Sequence, residues 1–144
     1  MATGVVFHEA MNNIGNGAID LDSHTFKAVL TNTAPSQAND DELADITQIA
    51  NGNGYTTGGV TLSSVTWAET GAGTGIWQFS CADFSWTASG GNIADFRYVV
   101  IYSDTSTGDK LFFYLDYGAA VTVTSGNSFT VDVQAAGLVR FTVS

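Results

Sequence analysis

The stretches Phe96-Arg-Tyr-Val-Val-Ile-Tyr102 and Leu111-Phe-Phe-Tyr-Leu-Asp-Tyr117 are rich in β-branched and aromatic residues and apolar on both faces. Short apolar runs of this composition, closed by Ser103-Asp-Thr-Ser-Thr-Gly108 and by Gly118, read as strands. A strand apolar on both faces is central in its sheet, or turns one face to another chain. Around these two runs the period is two. Phe26, Ala28 and Leu30 alternate with Lys27, Val29 and Thr31. Phe129, Val131 and Val133 alternate with Ser128, Thr130 and Asp132, and Val139, Phe141 and Val143 make a last strand of the same kind. Trp77, Phe79 and Cys81 share one face; Phe84 and Trp86 share another. The 16 glycines and the single proline, Pro35, punctuate these runs, and turn signals every ~8–12 residues are the mark of a sandwich or barrel. Gly126-Asn127, between Val121/Val123 and Phe129/Val131, predicts a hairpin. The pattern predicts one all-β domain over residues 1–144, an antiparallel β-sandwich, jelly-roll-like, with one or two short helical turns. Val6 to Ile14 and Asp40 to Asp45 are the helical segments; the second has acids at the favourable end. Residues 1–16 are expected to form an extended N-terminal arm or short helix that orders against a neighbour.

A chain of 144 residues buries enough surface to fold without a disulfide or structural metal. Charged residues make up only 12%, against a usual ~25%, so the surface is built mostly from Thr, Ser, Asn and Gly. The balance of 14 acids to 4 bases gives a net charge of -10. That field repels phosphate backbones and excludes a polybasic membrane anchor, so neither nucleic acid nor membrane is expected as a partner. No apolar run approaches the ~20 residues of a transmembrane helix. Met1-Ala-Thr-Gly-Val5 has no basic segment, so no secretory signal is expected, and Ala2 does not fit the myristoylation pattern. Cys81 stands alone, which excludes an intrachain disulfide and a cysteine-rich zinc site.

Candidate chemistry is sparse. There is no G-x-S-x-G elbow, phosphate-binding lysine loop or dinucleotide fingerprint. Gly71-Ala-Gly-Thr-Gly75 leads into a strand and reads as a hairpin tip. A Ser-His-Asp triad would have to use His8 or His24. Cys81 continues the apolar face of Trp77 and Phe79, as a buried thiol does. Asp20-Leu-Asp-Ser-His24 resembles a metal-binding edge, with a solvated strand start as the plainer reading. Asp40, Asp41, Glu42 and Asp45 form the densest acidic cluster, suited to calcium or simply to a solvated helix start. Lys27 is a candidate for an isopeptide bond or, more plainly, a surface lysine. Trp67, Trp77 and Trp86 are a candidate sugar-stacking platform; their strand-like alternation favours the core. No catalytic, cofactor-binding or metal-binding residue is assigned, and no enzyme is expected.

One set of phrases goes further: Phe26-Lys-Ala-Val-Leu-Thr-Asn-Thr-Ala-Pro35, Ala44-Asp-Ile-Thr-Gln-Ile-Ala50, Gly52-Asn-Gly-Tyr-Thr-Thr-Gly-Gly-Val60, Phe84-Ser-Trp-Thr-Ala-Ser-Gly-Gly-Asn-Ile93 and Phe96 to Tyr102. This set resembles a family of small virion structural proteins encoded by tailed bacteriophages and prophages, over most of the chain from about Asp20. The resemblance implies a component of a phage particle and brings no catalytic motif or cofactor. A capsid decoration (cement) protein is the leading expectation: a homotrimer on the major capsid protein, on the virion exterior, made in the host bacterial cytoplasm. An edge strand or apolar sheet face suits such docking, and negative charge suits the outer surface. A tail, baseplate or host-recognition component is the second expectation, a carbohydrate-binding module the third. The interface is expected at Val5, Val6, Phe7, Met11, Tyr98, Tyr102, Phe112 and Tyr114.

Overall fold

In a computed structural model, which describes residues 2–144, the chain runs through β1 (Thr3–Val6), α1 (His8–Gly15), β2 (Phe26–Thr31), a 3-10 turn at Leu43–Asp45, β3 (Val60–Thr61), β4 (Thr66–Glu69) and β5 (Ile76–Ser80). It continues through β6 (Phe84–Thr87), β7 (Ile93–Ser103), β8 (Leu111–Val123), β9 (Ser128–Val131) and β10 (Val139–Thr142). Neighbouring strands pair antiparallel in three sheets, ordered β1-β8-β7-β2-β3, β10-β5-β4 and β6-β9. This is the expected all-β, sandwich-like architecture. The two helical segments also appear where expected.

β7 and β8 are the two runs apolar on both faces, and both lie inside the five-stranded sheet. Pairing sets Ala28, Ile101 and Phe113, and likewise Leu30, Val99 and Leu115, side by side on one face. That face meets Phe79 of β5, whose ring lies 4.9 Å from Phe26, 5.0 Å from Phe112 and 6.2 Å from Phe113. These are edge-on aromatic contacts within the favourable centroid range.

The other face is covered by the chain itself. Residues 32–59 leave β2 and fold back over it. Thr31 Oγ1 donates to the Thr47 carbonyl (2.5 Å), Ile49 N to the Leu30 carbonyl (3.0 Å), and Tyr102 Oη to the Gly58 carbonyl (2.8 Å). Tyr55 is buried beneath this excursion, where it donates to Gln48 Oε1 at 2.6 Å. Burial pushes its phenol up to about 12. Two glycines make the close approach possible. Gly54 (φ 101°) and Gly59 (φ 77°) have left-handed backbones, and a Cβ on either would lie 1.9 Å from the Thr87 carbonyl oxygen or 1.8 Å from that of Ala28.

The N-terminal segment is integrated rather than free; Met1 lies outside the described residues. β1 pairs with residues 113–116 of β8, Phe7 N donates to the Phe112 carbonyl at 3.1 Å, and α1 buries Ala10 and Asn13. The segment holds both an extended piece, β1, and a short helix, α1. The neighbour that orders residues 2–16 is the chain's own β8. The physical reason is Phe7, which is fully buried and packs at 5.2 Å from Tyr114.

Candidate functional site

In β4, β5 and β10 the side chains alternate between two faces. Thr66, Ala68, Gln78 and Arg140 form a polar outer face. Trp67, Trp77, Phe79 and Phe141 form the inner face, and the register sets Trp67 opposite Phe79 and Phe141 opposite Trp77. Phe79 is covered by the five-stranded sheet. Trp77, two residues along the same face, is past the covered part and is 38% exposed. The inner face thus emerges from the sandwich as an open apolar floor. Trp67 stacks on Trp77 at 5.7 Å and 28°, and Phe141 sets its edge to Trp67 at 5.7 Å. Met11 and Ile14 of α1, Leu21 and Val143 wall this floor into a hollow of about 350 Å³. The hairpin carrying Trp67 and Trp77 is fastened at its tip by the Glu69 carboxylate, which accepts Gly73 N (3.1 Å) and Gly75 N (2.7 Å). A second hollow of about 310 Å³ shares Ile14, Leu21 and Trp67 with the first and is also lined by Asp20 and Asp22.

Trp86, the third member of the candidate platform, is elsewhere, in the core as its alternation favoured. It is 2% exposed in the two-stranded sheet, edge-on to Phe84 and stacked on Phe129. Its indole N–H is the one buried side-chain polar group among the described residues without a hydrogen-bond partner.

Of the expected interface residues, Phe7, Tyr102 and Phe112 have at most 1% of their surface exposed. They are core residues, because β8 and β7 are covered on both faces, and they cannot meet a partner. Tyr98 is also buried; Val5, Val6 and Tyr114 are half-buried, and Met11 is 50% exposed. Met11 alone reaches the hollow. The expectation missed Trp77, Phe141 and Val143, since alternation identifies a residue's face but not where the covering layer stops.

The remaining candidates are structural. The acidic cluster is internally bonded. Asp45 accepts Asp41 N (2.9 Å) and Glu42 N (3.0 Å), and these bonds hold its carboxyl below the usual range. Lys110 Nζ reaches Asp41 Oδ2 (2.5 Å) and Glu42 Oε1 (2.8 Å). Asn13 Nδ2 donates to Asp41 Oδ1 at 2.7 Å, and Asp40 Oδ2 accepts Ser36 N at 2.7 Å. In the Asp20–His24 segment, Asp20 turns back on its own loop, accepting Ser23 Oγ at 2.6 Å and Asp22 N at 2.9 Å. His24 Nδ1 lies 2.8 Å from Ser103 Oγ, but Ser103 is fully buried, so no substrate reaches that hydroxyl. His8 is exposed on α1. Among the described residues, no three His, Cys, Asp or Glu side chains are grouped to hold a metal ion. Cys81 is buried, and desolvation with Asp83 nearby pushes its thiol up to about 11. Lys27 pairs with Asp104 at 3.6 Å. Among the described residues no helix is long and apolar enough to cross a membrane.

No protein-family model, curated protein or solved structure matches the chain.

Proposed function

We propose that this chain is a non-enzymatic structural protein of a bacteriophage particle, a decoration protein that docks on the major capsid protein of the mature head. The observation that carries the reading is the hollow floored by Trp67, Trp77 and Phe141, with exposed Met11 and Val143 at its rim. Large exposed apolar side chains grouped in one place mark an interaction surface, and tryptophan is the side chain most enriched among binding hot spots. The lining holds no nucleophile, base or metal ligand. The phage context rests on the sequence resemblance, with which the acidic, lysine-poor surface agrees. A protein that binds only the assembled shell stabilises it by RT ln(1 + [L]/Kd), and trimeric engagement multiplies the effect through avidity.

Two measurements test this. Mass spectrometry of purified virions should find the chain in a copy number comparable with the shell protein; a trace amount would move it to the tail or baseplate, and absence would end the virion reading. Wild-type protein added to particles lacking it should bind, and Trp77→Ala should not. A carbohydrate-binding module is the second reading, favoured by the near-parallel Trp67–Trp77 pair at the surface. Tryptophan fluorescence changes on titration with oligosaccharides would bring it forward.

A further inference from the structure

We infer that the hollow and its acidic neighbour form one trough, and that this trough takes a partner polypeptide segment with a large apolar side chain beside a lysine or arginine. The inference rests on the docking reading and names the chemistry of the segment that docks. The two hollows have Ile14, Leu21 and Trp67 in common, so they adjoin and an extended segment lying across these residues touches both. One end is apolar, with Trp77, Phe141 and Val143. The other end presents Asp20 and Asp22.

Among the described residues no lysine or arginine pairs with those carboxylates, and the base beside Asp20 is His24 of the same loop. There are only 4 lysines and arginines. Lys27 is held by Asp104, Arg97 by Asp116 at 2.7 Å, and Lys110 by Asp41 and Glu42. Arg140 lies on the outer face of β10, donating to Gln78 Oε1. The Asp22 carboxylate makes no hydrogen bond or ion pair among the described residues. Asp20 is held ionised by the donors of its own turn, Ser23 Oγ first. An apolar end beside two carboxylates without a lysine or arginine partner is complementary to an apolar side chain next to a cation. A second copy of the chain is a poor occupant of this trough, because its own lysines and arginines are already engaged. An anionic lipid surface is disfavoured because it carries the same sign of charge as the carboxylates. A purely apolar small molecule would leave the acidic end unused.

The probe is a short capped peptide with a phenylalanine and a leucine flanked by lysines, compared with the same peptide flanked by glutamates. The readout is the three indole N–H signals in proton–nitrogen correlation spectra, with buried Trp86 as the internal reference. The lysine peptide should move the Trp67 and Trp77 signals and leave Trp86 in place. Its affinity should fall about thirtyfold in Trp77→Ala and about three- to fivefold in Asp22→Asn, with the second loss vanishing at high salt. Asp22→Asn is the safe variant, since that carboxylate supports nothing else. Equal binding of the glutamate peptide, displacement of the Trp86 signal alongside the others, or no response at millimolar peptide would each overturn the inference. Particle binding separates the two readings. If Trp77→Ala abolishes it and Asp22→Asn leaves it unchanged, docking stands and the charge inference falls. If neither substitution changes it, both fall.

Discussion

Trp86 and Trp77 stand in strands of the same alternating kind, Phe84-Ser-Trp86 and Trp77-Gln-Phe79, and end in opposite surroundings. Trp86 packs on Phe84 and Phe129, with Phe96 in turn on Phe129, and all but its N–H is satisfied. Trp77 has its stacking partner Trp67 on one side and open solvent on the other. Both rings are on the inner face of their sheets. The difference is that a second layer reaches over Trp86 and stops short of Trp77. Inner face and core are therefore separate properties. Where they part company, the molecule presents apolar surface to a partner.

The sharpest way to break this comparison is truncation. Trp86→Ala should cost about 3–5 kcal/mol, because it opens a cavity in a closed aromatic cluster. Trp77→Ala should cost about 1–2 kcal/mol, since it forfeits one stacked pair and partial burial. Urea unfolding of both variants with unchanged m-values measures the two. Equal losses would mean that the Trp77 surface is core-like and not a docking floor.

Much of the fold is legible in the sequence, because periods and turns are local. The strand Phe26 to Thr31 and the two-sided runs at β7 and β8 follow from side-chain size and turn placement. The hairpin expected at Gly126-Asn127 does not form: that turn carries the chain from one sheet to another, since β8 pairs with β7 and β1 while β9 pairs with β6. The phrases carrying the phage resemblance also acquire a physical meaning, because they meet one another. Gly59 passes the Ala28 carbonyl, Gly54 passes that of Thr87, Asn53 Nδ2 donates to the Asn92 carbonyl, and Tyr102 Oη donates to that of Gly58. They are the frame of the fold, and none of them supplies the Trp77 hollow. What stayed hidden was the cover. The excursion over residues 32–59 shields β7 and β2 from within and makes Tyr102 core, while Phe112 is closed in by Phe26 and Phe79 and Phe7 by Tyr114. Those contacts are between segments far apart in sequence and leave no local period. The hollow was hidden for the converse reason, since the end of a covering layer has no signature in the strand beneath it.

The acidic cluster extends the comparison to polar groups. Asp45 is bonded internally, whereas Asp22 is open. The folded-state carboxyls of Asp45, Asp20 and Asp116 are held below their ordinary range, chiefly by hydrogen bonds from Asp41 N, Ser23 Oγ and Arg97. A depressed carboxyl contributes stability above its unfolded value of about 3.9, and the contribution is lost as pH falls through the lower folded value. Asp109 has the opposite sign: burial raises it, so its contribution is present at low pH and declines as pH rises. Three depressed groups against one raised group predict destabilisation below about pH 4. Asp45→Asn should cost about 1 kcal/mol at neutral pH, as loss of a helix cap does, and should flatten that acid limb. Asp22→Asn should leave both unchanged. Thermal melts across the acid range separate the two variants, and an identical acid limb in wild type and Asp45→Asn would mean that the capping bonds contribute nothing.

The smallest effect is the most discriminating. Trp86→Phe keeps an aromatic ring in the cluster and removes the one buried donor without an acceptor. Leaving such a group unpaired costs about 1–3 kcal/mol, while the smaller ring leaves a void whose cost is of similar size. The two oppose, so the net change should lie within about 1 kcal/mol of zero and can fall on the stabilising side. The equivalent Trp77→Phe removes an N–H that water can reach, so it gains nothing from that deletion and loses part of the stack on Trp67. Trp77→Phe should therefore be the more destabilising of the two even though the chemistry removed is the same. A clear loss in Trp86→Phe, larger than in Trp77→Phe, would mean that the Trp86 N–H is satisfied in solution. Its closed cluster would then admit a water molecule, and the contrast between the two tryptophans would shrink to one of area alone.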